Sequence, residues 1–577
     1  MNKSEKIICL LLGAVLAWYI YGEMGKAKER AKLAAEQAAV TAEQAAVTNA
    51  VASAVAPAPA VIEASEVKAE EEAKQTLPSV PEKIVTLEND DVKLELSTWG
   101  AVVKKVTLKK YAKDRGAVSE TNPAVTLDFS DAPLGAGTGP VAAFEVVRQD
   151  GKTAAFRRGA ASRTIELADD YCILFDDAGI SGAVSLGAMR MGDSKNDLLS
   201  VDSWAVDAGK GKPGVVHHGD DDSPLKPYLV GGLAGGCSGS KSAAGMPEKT
   251  EVTYPGLQTW IAIKNRFFVT ALVGRDAQPA DGFTATVTRD MKVADYRPES
   301  VSVTANYKDE AKRQLRFFVG PKKQALLWNL GMRDVMEFGM WRWLCYPLVW
   351  VLNLFNSWIP NFGVAIILLT ILVRILFWPL THKSTVGMKK MQEIQPKMKE
   401  IQKKFKDNPQ RLQQETWALY REAKVNPMSS CLPMLIQIPV FIALFNVLRS
   451  AVELRYAPFL WIADLSEPEG LFAAYLPFGG LNILPILMAL TTGLQSAFTP
   501  SAGDKSQQRM MMVFMPIMML VMFYSFPSAL SLYWFLSNLF SIVQMWIIRR
   551  QTAKKNEAVM PEVIDPPQTT RQMRRHA

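Results

Sequence analysis

Past Gly320 the chain is dominated by apolar runs of bilayer-crossing length, at residues 361–380, 431–452, 480–498, 510–526 and 528–548. About 20 consecutive apolar residues in helical form cross the hydrocarbon of a bilayer. Lipid offers no partner to a bare peptide group, so each run is predicted to be a transmembrane helix. An earlier apolar run, 7–21, follows Lys3 and Lys6 like a signal peptide. Gly22, Glu23, Met24 and Gly25 come next and provide no small-x-small cleavage site. Residues 1–25 therefore read as an uncleaved transmembrane anchor, with Trp18, Tyr19 and Tyr21 at the outer interface.

Charge placement orients these spans. The net charge of +8 is modest, but it is concentrated. Segment 381–426 is rich in basic residues, among them Lys389, Lys390, Lys403, Lys404, Arg411 and Arg421. The loop at 453–478 has Arg455 as its single base. Arg549, Arg550, Lys554 and Lys555 follow the last run, and Arg571, Arg574 and Arg575 continue the basic tail. Basic loops stay cytoplasmic, so both termini and segment 381–426 are expected inside, with everything between the first and second spans outside. The stretch at 340–358 is amphipathic and Trp-rich. A span there would reverse these sides, so it is expected to lie along the outer interface.

The exported portion divides by composition. Residues 26–81 form a low-complexity tether in which AEQAAVT occurs twice in succession and Pro57 and Pro59 follow. Residues 82–320 alternate β-branched and polar side chains between turn signals such as Asn89-Asp90-Asp91, the pattern of a β-sandwich. The stretch at 259–273 reads as a strand pair or one long strand. Residues 321–358 link this domain to a membrane core at 359–550, which carries a cytoplasmic helical hairpin at 381–426. Residues 551–577 are the tail. In the hairpin, Met391, Ile394, Met398, Ile401 and Phe405 form a 3-4-3-4 seam, and Leu412, Thr416, Leu419 and Ala423 continue it after Asp407-Asn408-Pro409. Pro396 is expected to kink the first hairpin helix or restart it.

Three features invite chemistry and fall short of it. Gly235 to Ser242 resembles a phosphate loop, but Ser240 stands where that loop needs glycine before its lysine. His217-His218 beside Asp220, Asp221 and Asp222 lacks a third ligand at a defining spacing and reads as a solvated turn. Cys9, Cys172, Cys237, Cys345 and Cys431 show no CxxC spacing, though Cys172 and Cys237 share an oxidising compartment in which a disulfide between them is an open option.

Polar residues inside the spans are the better candidates. Arg374 shares a helix face with Thr370 and Thr381. A central charge costs about 2.5–3.5 kcal/mol in a membrane even on lenient scales. The arginine either snorkels to the cytoplasmic end or faces a water-filled cavity open to that side. The spans contain no acid to pair with it, which favours the cavity. Trp534, Ser537, Asn538, Ser541 and Gln544 form a stripe on the last span, and Gln437 and Gln495 add amides from two others. Such residues either glue helices together or line a hydrated groove. With no histidine or acid in any span, neither an enzyme nor a cofactor is indicated.

The order of NFGVAIILLTILVRILFWPLTHKS at 361–384, the basic hairpin, VNPMSSCLPMLIQIPVFIALFNVL at 425–448, SAVELRYAPFLWIADLS at 450–466 and FPSALSLYWFLSNLFSIVQ at 526–544 resembles the YidC/Oxa/Alb family of membrane insertases. The anchor and β-rich exported domain are similar to its Gram-negative form. The resemblance implies an all-α five-helix insertase core plus an N-terminal anchor helix in the bacterial inner membrane, with a periplasmic β-supersandwich domain related to sugar-binding folds. It implies a groove open to cytoplasm and lipid, in which Arg374 and Thr370 match the family's arginine and threonine. Tyr533-Trp534 stands where the family often has Tyr-Tyr, and Asn426-Pro427-Met428-Ser429-Ser430-Cys431 where it usually has Asn-Pro-x-Gly-Gly-Cys. The implied partners are nascent membrane proteins, the Sec translocon, the ribosome through the hairpin and tail, and membrane lipids. The competing reading is a polytopic transporter or channel with Arg374 as a substrate-ion site. Inverted repeats or broken helices with paired acids would mark that class, and the sequence shows neither.

Overall fold

The computed structural model describes residues 80–557 apart from 116–117, 138–140, 191–198, 207–213, 219–248, 274–278, 290–297, 308–311, 424, 426–431, 473–479 and 500–504. The anchor, nearly all of the tether, the loop at 235–242, Asp220–Asp222, Cys237 and the Asn426–Cys431 entry lie outside the described residues.

From Ile84 to Pro321 the chain is β-structure. Strands β1 (Ile84–Glu88) and β2 (Val92–Ser97) are joined where Asn89 Oδ1 accepts the amides of Asp91 and Val92 at 2.9 and 2.7 Å. Asparagine supplies this turn because its side chain substitutes for a backbone acceptor. With β3 (Val102–Ala112) and β4 (Ala124–Asp128) they make a four-stranded antiparallel sheet. The rest enters a twelve-stranded sheet: β5 (Glu145–Gln149), β6 (Thr153–Arg158), β7 (Ala161–Leu167), β8 (Cys172–Ala178), β9 (Val184–Arg190), β10 (Ser200–Ala205), β11 (Gly214–His217), β12 (Lys249–Lys264), β13 (Phe268–Val273), β14 (Ala280–Arg289), β15 (Pro298–Asn306) and β16 (Lys312–Pro321). Its main path runs β5-β6-β7-β8-β16-β13-β12-β14-β15-β9, with β10 and β11 paired beside β12.

Leu87 and Leu94 from the smaller sheet share one apolar core with Phe156, Phe175, Phe283 and Phe317 from the larger. Gly135 and Gly187, at φ +83° each, let the backbone pass so close to Phe175 and Phe129 that a Cβ would overlap the rings. Inside this core Asp177 accepts from both Arg163 (2.6 and 2.8 Å) and Arg313 (3.0 Å). Arg163 also donates to the carbonyls of Ala101 and Gly135, which ties the two sheets. Cys172 is a buried free thiol, pushed up to about 11 by burial.

The 259–273 region is a strand pair, β12 and β13. Asn265 Oδ1 accepts the amides of Phe267 and Phe268 and leaves Arg266 at the tip of the turn. The solvated turn expected at His217-His218 is not found. Pairing of β11 with β10 seats His217 Nδ1 3.0 Å from Asp202 and His218 Nε2 2.9 Å from Ser203, with the His218 ring 4.2 Å from Tyr254. Asp202, His217 and Glu337 do converge like metal ligands. The Lys264 ammonium, however, pairs with both Asp202 and Glu337 and donates to the Val335 carbonyl, so the cation's place is filled by a side chain.

The helical part comprises α1 (Gln324–Asn329), α2 (Arg342–Trp358), α3 (Phe362–Lys404), α4 (Pro409–Glu422), α5 (Leu432–Ser450), α6 (Ile483–Phe498), α7 (Lys505–Phe523) and α8 (Ser528–Glu557). Residues 362–404 and 528–548 are helices long and apolar enough to cross a membrane, and α5, α6 and α7 contain shorter apolar stretches. Helix α2 packs on α3 and α5, α6 on α7 and α8, and α3 on α8.

Helix α3 begins where Asn361 Oδ1 accepts the Val364 amide, and its second residue, Gly363, lies against the Phe459 ring. It then continues unbroken through Pro379 and Pro396 into the hairpin. Of the two outcomes expected at Pro396, a kink or a restart, the restart does not occur. An interior proline costs about 3 kcal/mol in a helix, but the seam holds this one in place. Met391 and Leu419 are buried across the hairpin, and the Tyr420 hydroxyl donates to Met398 Sδ at 3.3 Å. Asn408 caps α4 through the Arg411 amide, with Pro409 at its first position, where the missing N–H costs nothing.

Candidate functional site

The side chains singled out from the spans sit around α8. Arg374, half-buried on α3, donates from Nη2 to the backbone carbonyl of Ser537 at 2.6 Å. A guanidinium carries five N–H donors. That is its single hydrogen bond to protein among the described residues, and no acid lies within ion-pair distance of it there. One turn before it, Thr370 is fully buried and its hydroxyl turns back to the Ile366 carbonyl at 2.7 Å. One step further along the seam, Gln544 Nε2 donates to Thr381 Oγ1 at 2.7 Å. Ser541 Oγ donates to the same Ser537 carbonyl at 2.9 Å. Arg374, Ser537, Ser541, Thr381 and Gln544 thus form one polar seam between α3 and α8.

Asn538 is not part of that seam. Successive helix residues are about 100° apart, and this rotation turns Asn538 toward α6. There its Nδ2 donates to Thr492 Oγ1 at 2.8 Å and approaches Thr491 Oγ1 at 3.4 Å. It acts there as interhelical glue. Gln495 is also on α6, with a buried Oε1 that has no protein donor among the described residues. On the α5 side, Gln437 Nε2 donates to the Tyr533 hydroxyl at 2.9 Å, while Trp534 meets the Phe441 ring edge-to-face at 4.8 Å and the Phe523 ring at 5.5 Å. The Tyr533 hydroxyl, which the sequence reading left unused, is the acceptor that ties α8 to α5.

Outward surfaces of α3 and α7 are apolar. Leu372, Ile375 and Leu376 on α3 and Val513, Phe514, Ile517 and Val521 on α7 are all exposed. In water this would be an aggregating surface, and in lipid it is an ordinary one. The loop after α5 closes the opposite end. Glu469 accepts the first amides of α6, Ile483 and Leu484, at 2.8 and 2.6 Å, as a carboxylate at a helix N-terminus should. Glu467 pairs with Arg266 from the β12–β13 turn, while its carbonyl accepts the Ser528 amide at the start of α8.

A β-rich domain carried on an apolar helical core, with a lone guanidinium held between two of its helices, defines an integral membrane protein with a large extramembrane domain. Residues 354–556 match the model of the 60Kd inner membrane protein family, and residues 238–351 match that of the YidC periplasmic domain. The chain is 30% identical over 520 residues to the membrane protein insertase YidC of Prosthecochloris aestuarii, covering 84% of this chain and 86% of that one. It is 41% identical over 311 residues to the YidC of Syntrophobacter fumaroxidans, covering 52% and 55%. With that relative the alignment spans about half of the relative's length. A crystal structure of an active YidC insertase with its first transmembrane domain resolved is 18% identical, covering 82% of this chain and 95% of that one at a TM-score of 0.34. The chain belongs to the YidC family of membrane protein insertases. Strands β12 to β16 lie in the match to the family's periplasmic domain, and the helices from α3 onward lie in the match to its inner membrane protein.

Proposed function

We propose that this protein is a non-enzymatic insertase that helps integral membrane proteins enter and fold in the bacterial inner membrane, alone or with the Sec translocon. In this reading the anchor at 1–25 and the core at 359–550 span the membrane. Both termini are cytoplasmic, and residues 82–320 lie in the periplasm. The hairpin at 381–426 and the tail at 551–577 meet the ribosome, because their bases suit ribosomal RNA. The reading rests on one observation: Arg374 is held at the α3–α8 seam by the Ser537 carbonyl, with its remaining donors free of protein partners among the described residues.

A nascent chain's short polar tail would enter beside Arg374 and replace water at those donors, most strongly when the tail is acidic, since the dielectric there is below that of bulk water. The apolar segment behind it would slide along Trp534 and the methionines of α7, whose flexible side chains accept varied partners. Transfer of that segment into lipid supplies the driving force, and no nucleotide or metal is needed.

The test uses two model clients that differ only in tail charge, scored for insertion and normalised to the level of each variant. Arg374→Lys should keep most activity, Arg374→Ala should slow the acidic-tail client most, and Arg374→Glu should be worst. Identical responses of both clients across the three variants would overturn electrostatic recruitment.

A further inference from the structure

Between the β domain and the helical core lies a cavity of about 580 Å³, walled by the end of β3, the start of α1, the last turns of α2 and the loop after α5. This is the size range of small-molecule sites. Three bases and one acid line it: Lys110, Lys323, Arg455 and Glu453. Two of the bases are already engaged. Arg455 donates to the carbonyls of Ala112 and Lys113 at 2.8 and 3.1 Å, and Lys110 pairs with Asp91. Lys323 and Glu453 are different. The Lys323 ammonium sits over the Tyr111 ring, 5.6 Å from its centre, and neither it nor the Glu453 carboxyl has an ion-pair partner within 4 Å among the described residues. Burial pushes the Glu453 carboxyl up despite the nearby lysine. Lys323 and Glu453 thus share one cavity with no ion pair between them, and a buried cation and carboxyl left unbridged cost free energy until something bridges them.

The helix that forms one wall indicates how deep the cavity lies. Trp343, Trp350 and Trp358 of α2 are 55%, 63% and 68% exposed along one face, while Cys345, Leu348, Val349 and Leu352 are buried on the other. Of the asparagines that line the cavity, Asn353 lies on the flank between these faces, and Asn356 continues the inner face at the end of the helix. Exposed tryptophans settle at the lipid headgroup level, so this flank opens at that level.

We propose that this cavity binds the headgroup of a membrane phospholipid carrying a primary ammonium beside its phosphate, with the phosphate on Lys323 and the ammonium on Glu453. The two asparagine side chains supply further donors and acceptors to the phosphate and glycerol oxygens. Such a lipid meets both unpaired charges at once. A phosphoglycerol headgroup brings no cation to Glu453, and a quaternary ammonium cannot donate a hydrogen bond to it. The site anchors the β domain and α2 to the outer leaflet, independently of any client at Arg374.

The experiment measures lipid retained by the purified full-length protein, after exchange into nanodiscs of phosphatidylethanolamine, phosphatidylcholine or phosphatidylglycerol, by native mass spectrometry. The expected result is preferential retention of phosphatidylethanolamine. Lys323→Gln should lower it about tenfold, the loss of one charge-assisted hydrogen bond. Glu453→Gln should abolish the preference over phosphatidylcholine. Thermal unfolding of each variant establishes folding, and Asn356→Ala, a milder change, should weaken retention where the charge variants fail to fold. Equal retention of the three lipids, stronger retention of phosphatidylglycerol, or indifference to these substitutions would overturn the proposal. Displacement by soluble glycerophosphoethanolamine at the lipid's own concentration would also overturn it, since the ligand would then be a free phosphate ester. The readout is lipid and not insertion, so failure here leaves the insertase reading untouched.

Discussion

Arg266, at the tip of the β12–β13 turn, pairs with Glu467 in the loop that precedes α6, and it also donates to the carbonyls of Arg449 and Ser466. Its side chain is 2% exposed. One arginine from the periplasmic domain thus ties down the end of α5 and the segment that holds the start of α8.

Removing that arginine should loosen the joint more than removing its acid. Breaking a buried ion pair from one side costs about 3–5 kcal/mol, and Arg266→Met also orphans two carbonyls that Glu467→Gln leaves satisfied. Thermal unfolding of the full chain in detergent should show the larger fall in Tm for Arg266→Met. Equal falls would mean the carbonyl contacts contribute nothing.

Gly363→Ala should be disruptive although alanine is the better helix former. Its Cβ would overlap the Phe459 ring, and overpacking of this kind costs about 1–3 kcal/mol. The double variant Gly363→Ala with Phe459→Leu should recover part of the lost Tm. No recovery would place the strain elsewhere.

Lys322 sets a pH dependence. It is 4% exposed, and burial pushes its ammonium down to about 7 from an ordinary value of 10.5. Between these values the unfolded chain binds more protons than the folded one, so stability should rise as pH rises from 7 toward 10.5 and fall toward its low plateau below 7. Lys322→Met should flatten that slope and raise Tm at pH 7. An unchanged slope in the variant would assign the pH dependence to other groups.

Deleting 389–424 should abolish insertion while the rest of the chain stays folded, because α3 and α4 pack on each other in the hairpin through Met391, Met398, Leu419 and Tyr420. Ribosome co-sedimentation should fall with rising salt in the intact protein and be weakened in the deletion, which keeps the basic tail. Normal insertion by the deletion variant would remove the hairpin from the proposed function.

What could be read from the sequence followed from periodicity. The hairpin seam is one instance: Met391, Ile394, Met398, Ile401 and Phe405 are all half-buried or buried, with Gln395 and Lys399 half-buried beside them. At 259–273 the strand pair was one of the two readings the pattern allowed. What could not be read depends on partners distant in sequence or without a side chain. The acceptor of Arg374 is a carbonyl, which leaves no mark on the residue type at position 537. The division of the α8 stripe between α3 and α6 needed the packing of neighbouring helices, not the stripe itself. His217 looked solvated because its partner, Asp202, comes from another strand, β10.

The unbroken helix α3 also has a mechanical consequence. At 43 residues it is about 65 Å long, and it contains both Arg374 and one arm of the hairpin. A continuous helix carries load along its length, with Pro379 and Pro396 as its softest points. A push on its cytoplasmic tip therefore becomes a tilt, and its amplitude shrinks in proportion to the distance from the foot near Phe459. With Arg374 about 18 Å from that foot, a sideways step of several ångströms at the tip becomes one of an ångström or two at the guanidinium, comparable to the slack in a hydrogen bond. The geometry gears a coarse movement outside the membrane down to a fine one within it.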